Sequence, residues 1–196
     1  MKKFEYPEGA TPLDPDDLEG IKFSHVSTRR ELDELEQANI QEGLAWTLLQ
    51  KDRHILNEIY LCKVHKKLFG QVWSWAGTYR RTGKNLGVEA IQIPTELRKL
   101  LGDTQFWIEN HTFPPLELAI RFHHRLVQIH AFPNGNGRHA RIMADILLRV
   151  LLDHDPIDWS GGFDLQSMNV RRKQYICALI NADQGDYRLL LKFAGG

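Results

Sequence analysis

The sequence predicts an all-α protein with one small β-hairpin, on three observations. Apolar residues recur at three- and four-residue steps through most of the chain. Capping and proline signals mark where several of these segments begin. Strand-like alternation occurs in one place, around Val88 to Ile93. The 196 residues suffice for a single domain with a sizeable core.

Residues 1–27 concentrate Pro, Gly and acid in EYPEGATPLDPDDLEG and predict an extended arm. Thr28 and Glu31 form a capping-box pattern that opens a helix to residue 50. On it, positions 32, 35, 39, 42, 46 and 49 share a face, apolar at Leu32, Leu35, Trp46 and Leu49 and interrupted by Asn39 and Glu42. A carboxylate in an apolar seam must find a cation or take up a proton. A second helix covers 54–69. Gly77, Gly83 and Gly87 then punctuate the chain before the expected hairpin. Pro94 opens a further helix, and Pro114-Pro115 start LELAIRFHHRLVQIH, which ends near His130. The next helix runs from about Gly137 to Leu152. A turn-rich break at 153–162 precedes two closing helices, 167–182 and 186–194. Residues 51–196 are thus the core on which 28–50 packs.

Charge excludes some partners. Lys plus Arg equals Asp plus Glu, 25 each, so bulk charge points to neither nucleic acid nor an anionic membrane. The doublets Arg29-Arg30, Arg80-Arg81 and Arg171-Arg172 predict solvated faces. No apolar run is long enough to span a bilayer, and the start, MKKFEYPEG, lacks the apolar stretch of a secretory leader. Cys62 and Cys177 lie in apolar helical patterns and predict buried free thiols. Together these predict a cytoplasmic protein.

Residues 130–141, HAFPNGNGRHAR, carry the chemistry. Gly135-Asn136-Gly137 precedes a helix, so backbone N–H groups can converge on an anion at a positive dipole end. Arg138 and Arg141, three apart, project from one side of the first turn and suit bidentate phosphate contacts. His130 supplies a group that titrates near neutrality. A phosphate grip beside a base points to transfer of a phosphorus group onto a hydroxyl.

This stretch resembles the Fic-domain signature HxFx[DE]GNGRxxR, matching at His130, Phe132, Gly135, Asn136, Gly137, Arg138 and Arg141. FGQVWSWAGTYR resembles the family's segment leading to its flap, and YICALINADQGDYRLLLKFA its closing helices. The arm EYPEGATPLDP, EQANIQEG and PNGNGRHAR resemble the short Fic proteins called mobile mystery protein B, of bacterial mobile genetic elements. The resemblance implies a Fic-type helical bundle with a hairpin flap and a protein adenylyltransferase that moves AMP from ATP, with Mg²⁺, to a target hydroxyl. His130 would be the general base. Gly135, Asn136 and Gly137 would form the anion hole, and Arg138 and Arg141 would hold the phosphates. Asn134 stands where the family usually has a carboxylate that helps hold Mg²⁺; its amide oxygen is a weaker ligand for that ion. Gly137 stands where the related Doc toxins have a Lys and phosphorylate, which favours adenylylation over kinase action.

The resemblance also gives Glu42 a role. Many Fic proteins carry an inhibitory helix with the pattern [ST]xxxE[GN], and ANIQEG matches it except at Ala38. A Glu42–Arg141 ion pair that blocks the γ-phosphate is expected. The target protein would dock on the flap around Lys84 to Ile93. Tyr175 and Asp183 are candidates to face the base and ribose of the nucleotide. Two other functions stay open: a regulatory or binding protein of low activity, favoured by Asn134 and Glu42, and a metal-dependent hydrolase using His123, His124, His130, His139 and Asp145.

Overall fold

At the centre of the molecule two long helices run back to back, α5 (Pro115–Ile129) and α6 (Asn136–Leu151), joined by the short loop at 130–135. In this computed structural model residues 15–26, 28–50, 53–159 and 170–195 are described. The apolar positions of α5 and α6 face two ways and so feed two cores. On one side Phe122, Leu126, Ile129, Met143 and Leu147 pack with α2 (Arg29–Leu49), α3 (Glu58–Phe69) and α4 (Ile93–Glu109). On the other, Ala119, Ile120, Ala144 and Leu148 pack with α7 (Val170–Asp183) and α8 (Arg188–Gly195). Burial on two fronts makes the central pair the rigid element that carries the loop.

The start signals act as the sequence predicts. Thr28 and Glu31 close a complete capping box on α2. Helix α3 begins later than the expected residue 54, at Glu58, because Asn57 caps it by accepting from the Tyr60 N–H at 2.8 Å. Proline lies in the first turns of α4 and α5. The helix expected from 167 is described from Val170 onward.

The expected hairpin does not form: the described residues contain no strands beyond the isolated antiparallel bridge of Ile21 with Trp73. Ala90–Gln92 instead make a 3₁₀ turn that runs directly into α4. Ile93 is helical although Pro94 follows it, so the chain is already on a helical path before the proline, where the alternation suggested a strand. Most of the expected arm, residues 1–14, lies outside the described residues. Its last part is a four-residue helix, α1 (Pro15–Leu18). Beyond α1 the chain lies against residues 72–74, with Lys22 N–H donating to Val72 at 2.9 Å and Ser74 N–H to Gly20 at 2.8 Å.

Helix α2 packs in a phase different from the expected one. Its buried positions are Leu32, Glu36, Asn39, Ile40, Gly43 and Thr47. Alternating steps of three and four average 3.5 residues, whereas a straight helix turns every 3.6 and drifts about 20° per heptad from that stripe. That drift is about 40° over two heptads, less than the ~100° between neighbouring residues, and the buried face itself lies elsewhere: Leu32, Glu36, Ile40, Gly43 and Thr47 share it, while Glu42, Trp46 and Leu49 lie to one side. Gly43 marks the close approach: a Cβ there would lie 2.9 Å from the Lys67 carbonyl and from Leu68 Cδ2 of α3. Asn39 bridges the end of α3, its amide donating to Lys67 O at 3.0 Å and accepting from Gln71 N–H at 2.9 Å.

The thiols are free, Cys62 half-buried but Cys177 exposed, unlike the expectation for the latter. No helix among the described residues is long and apolar enough to cross a membrane.

Gly43→Val should force α2 and α3 apart and cost about 1–3 kcal/mol; urea unfolding with an unchanged midpoint would refute the tight α2–α3 contact.

Candidate active site

The loop at 130–135 is bracketed by two residues in the left-handed region: His130 at φ 53° and Gly135 at φ 78°. Histidine tolerates this region better than most side chains, at a cost of order 1 kcal/mol. Gly135 could carry no side chain, because a Cβ would meet the Phe69 ring at 2.6 Å.

Clamps from several elements hold this turn. The Asn136 side chain accepts from Phe132 N–H at 2.9 Å and donates to Phe132 O at 2.7 Å. Fully buried His65 of α3 accepts from Gly77 N–H through Nδ1 at 3.0 Å, which leaves Nε2–H to donate to Asn134 O, also at 3.0 Å. These two contacts fix one neutral tautomer, and the ring stacks on Phe132 at 3.8 Å between centroids. Arg80 Nε donates to the His130 carbonyl at 2.6 Å. Nothing in the sequence singles out His65, and the Arg80-Arg81 doublet points the wrong way, since Arg80 is 4% exposed. Arg171 likewise packs, over the Phe193 ring.

Helix α6 begins at Asn136, so the first-turn N–H groups of Asn136, Gly137 and Arg138 have no intrahelical acceptor. The Gly135 N–H donates to Asn134 Oδ1 at 2.6 Å. The donors available to an anion are therefore shifted one residue along from the expected Gly135–Gly137 set, onto the open start of α6.

The two arginines part company. Arg138 donates to Glu36 Oε2 at 2.7 Å and lies over the Phe69 ring. Glu36 is 3% exposed and accepts a second bond from Trp73 Nε1 at 2.7 Å. Arg141 lies over the Tyr175 ring, 5.3 Å from its centroid. The expected partner, Glu42, is exposed and accepts from Gln71 instead. The buried face of α2, set by Leu32, Ile40 and Gly43, includes Glu36 and leaves Glu42 outside. The carboxylate that reaches the motif is six residues upstream of the one the sequence suggests, and it meets the first arginine.

Tyr175 is buried and its hydroxyl pairs with His123 Nε2 at 3.0 Å, so its ring supports Arg141 and presents no face for a nucleobase. Asp183 accepts from Gln128 at 2.7 Å and pairs with His124 at 2.9 Å, tying α7 to α5. His139 pairs with Leu61 O, and Asp145 accepts from Ile157 N–H and Trp159 Nε1. Each member of the alternative metal set thus faces a different partner. Among the described residues no three His, Cys, Asp or Glu side chains are grouped to hold a metal. The Asn134 amide oxygen accepts from Gly135 N–H, with Arg138 Nη2 at 3.5 Å.

Burial is the main cause that lowers His130 to about 4, aided by the cations of Arg80 and Lys84 and opposed by a hydrogen bond with the Val127 carbonyl. His139 is also lowered to about 4, mainly by burial, and His65 and His123 are lowered well below the usual value for the same reason. At neutral pH these rings are uncharged, the state in which His130 can accept a proton.

The Fic/DOC family model matches residues 55–148. Protein adenylyltransferase Fic of Nematostella vectensis is 27% identical over 170 residues, 83% of this chain and 37% of that protein. The protein of the same name from Drosophila grimshawi is 28% identical over 151 residues, 75% of this chain and 28% of that protein. The chain therefore spans only about a third of those relatives' length. Among solved structures, the N-terminal Fic domain of a VirB-translocated Bep effector from Bartonella quintana matches with a TM-score of 0.70 at 20% identity, covering 97% of this chain and 90% of that one. BepC of Bartonella tribocorum, with bound AMPPNP, matches with a TM-score of 0.68 at 18% identity, covering 96% and 92%. At these identities the likeness is one of fold.

The lowered histidines set an acid limit. The unfolded chain takes up protons below about pH 6.5, whereas His130 and His139 resist until about 4. Stability should be full above pH 6.5 and fall as pH drops toward 4, by ~3 kcal/mol for each of these two. Urea unfolding at pH 7.5 and pH 5 checks this; equal midpoints would mean the rings are not buried neutral.

Proposed function

We propose, from the premise that the chain belongs to the Fic/DOC family through residues 55–148, that it is a protein adenylyltransferase acting on a hydroxyl side chain. The observation that carries this is the juxtaposition at one chain reversal: a neutral buried imidazole at 130, unsatisfied amides at the start of α6, and two guanidiniums on that helix's first turns. His130 takes the proton of the target hydroxyl as its oxygen bonds to the α-phosphorus of ATP. The bond from that phosphorus to the β-phosphate's bridging oxygen breaks, and pyrophosphate leaves with the electron pair. The amides of Asn136, Gly137 and Arg138, with Arg138 and Arg141, hold the negative charge that passes to pyrophosphate. ATP enters as its magnesium complex, the ion carried by the substrate's own phosphates. The AMPPNP bound by BepC is in keeping with a nucleotide triphosphate as the ligand of this fold.

The target docks along the segment from Lys84 to Ile93, where Leu86 and Ile91 are exposed apolar side chains and Gly87 lies against His130. Helix α2 restrains the enzyme: Glu36 occupies Arg138 and must yield it before the phosphates are gripped. The buried pair competes directly with the nucleotide for one cation.

Incubation with ATP labelled at the α-phosphate tests this. Self-modification should carry the label, and His130→Ala should abolish it. Glu36→Gln keeps an acceptor for Trp73 while removing the charge, and should raise labelling several-fold; Glu42→Gly should not. Transfer of a γ-label would indicate kinase action. Absence of both labels, even from Glu36→Gln, would favour a binding role of the kind known from regulatory partners.

A further inference from the structure

Arg80 is buried, and its guanidinium is spent on backbone carbonyls. Nε donates to His130 O at 2.6 Å, Nη1 to Thr82 O at 2.8 Å, and Nη2 to Val88 O. Its own N–H donates to Ala131 O at 2.9 Å. Val88 N–H adds a bond to Ile129 O, drawing the segment at 82–88 onto the end of α5. Gly87 permits the contact: it has φ 105°, and a Cβ there would lie 2.6 Å from His130 Cβ and 2.7 Å from Arg80 Nη2. A planar fork with donors in fixed directions is what three divergent carbonyls require, and an ammonium cannot supply it.

We infer that Arg80 is the positioning residue of the site: it staples the left-handed backbone of His130 to the target-docking segment, so that base and acceptor are registered by one side chain. The inference rests on the adenylyltransferase reading for its catalytic consequence. The staple itself stands on the hydrogen bonds. Because the His130 carbonyl points at Arg80, the strained backbone conformation is compensated where it occurs. Because the same guanidinium holds Thr82 and Val88, a shift of that segment moves the imidazole as well. The charge has a second effect, since Arg80 and Lys84 are the cations facing the His130 ring, while the Val127 carbonyl faces it from α5. Glu89 faces Arg80 itself.

Arg80→Lys and Arg80→Gln separate the fork from the charge. Both should lower kcat for self-modification by about tenfold or more, since small misplacement of a reacting group is costly, with KM for ATP changed less than threefold. In Arg80→Gln the acid limb of the pH–rate profile should move toward the usual histidine range. In Arg80→Lys it should stay put. Hydrogen exchange on the full-length chain reads the staple without activity: amides at 80–88 and 129–132 should lose protection together in both variants, while α3 and α6 keep theirs. If one variant does not fold, the other carries the comparison. Wild-type labelling rates with unchanged protection in either segment overturn the inference and leave the proposed function standing. His130→Ala that labels like wild type overturns the proposed function, and the exchange result then decides the staple alone.

Discussion

The chain reversal between α5 and α6 is the constraint on which the site depends. Two left-handed residues, His130 and Gly135, close it; glycine enters that region freely, whereas His130 holds it at a cost. Three side chains from separate stretches keep it: Asn136 within α6, His65 from α3, and Arg80 from the segment after α3. Two of these clamps are neutral, and the third directs its charge into carbonyls. The turn is therefore held without a carboxylate, although Glu36 lies close by on Arg138. Since the clamps come from different elements, loop geometry is a property of the whole helical packing and not of the twelve-residue motif.

Much of the fold was legible because its signals are local. A capping box, an asparagine cap and prolines in first turns each act within four residues, and each marks a helix start that the structure retains. The motif loop was legible for the same reason. What failed to read was phase and partnership. Glu42 looked like the seam carboxylate because the stripe was anchored on Leu35, Trp46 and Leu49, whereas the close contact of Gly43 with α3 selects the neighbouring face, which carries Glu36. The alternation at 88–93 looked like a strand because side-chain period over so short a run does not exclude the 3₁₀ turn that leads into α4. His65 and Arg80 were invisible because their roles are set by carbonyls 69 and 50 residues away, and nothing about an isolated His or Arg encodes which backbone atom it will meet.

Helix α2 is joined to the rest by contacts of different kinds. Gly43 and Asn39 dock it on α3, Arg149 of α6 donates to Thr47 O at 2.7 Å, and Glu36 reaches Arg138. Only the last involves a group that a nucleotide would claim. The others lie away from the loop and would survive its loss. Under the proposed function, exchange of the Arg138 partner is a side-chain event on a helix that stays seated.

The far end of the docking segment has its own moorings. Lys84, almost fully buried, pairs with Asp17 at the end of α1, and the stretch just after α1 lies along residues 72–74. The opening residues of the described chain and the surface that would meet a substrate are in this way one mechanical unit. A binder gripping the stretch from 15 to 22 would pull on the Lys84 end of that segment through Asp17.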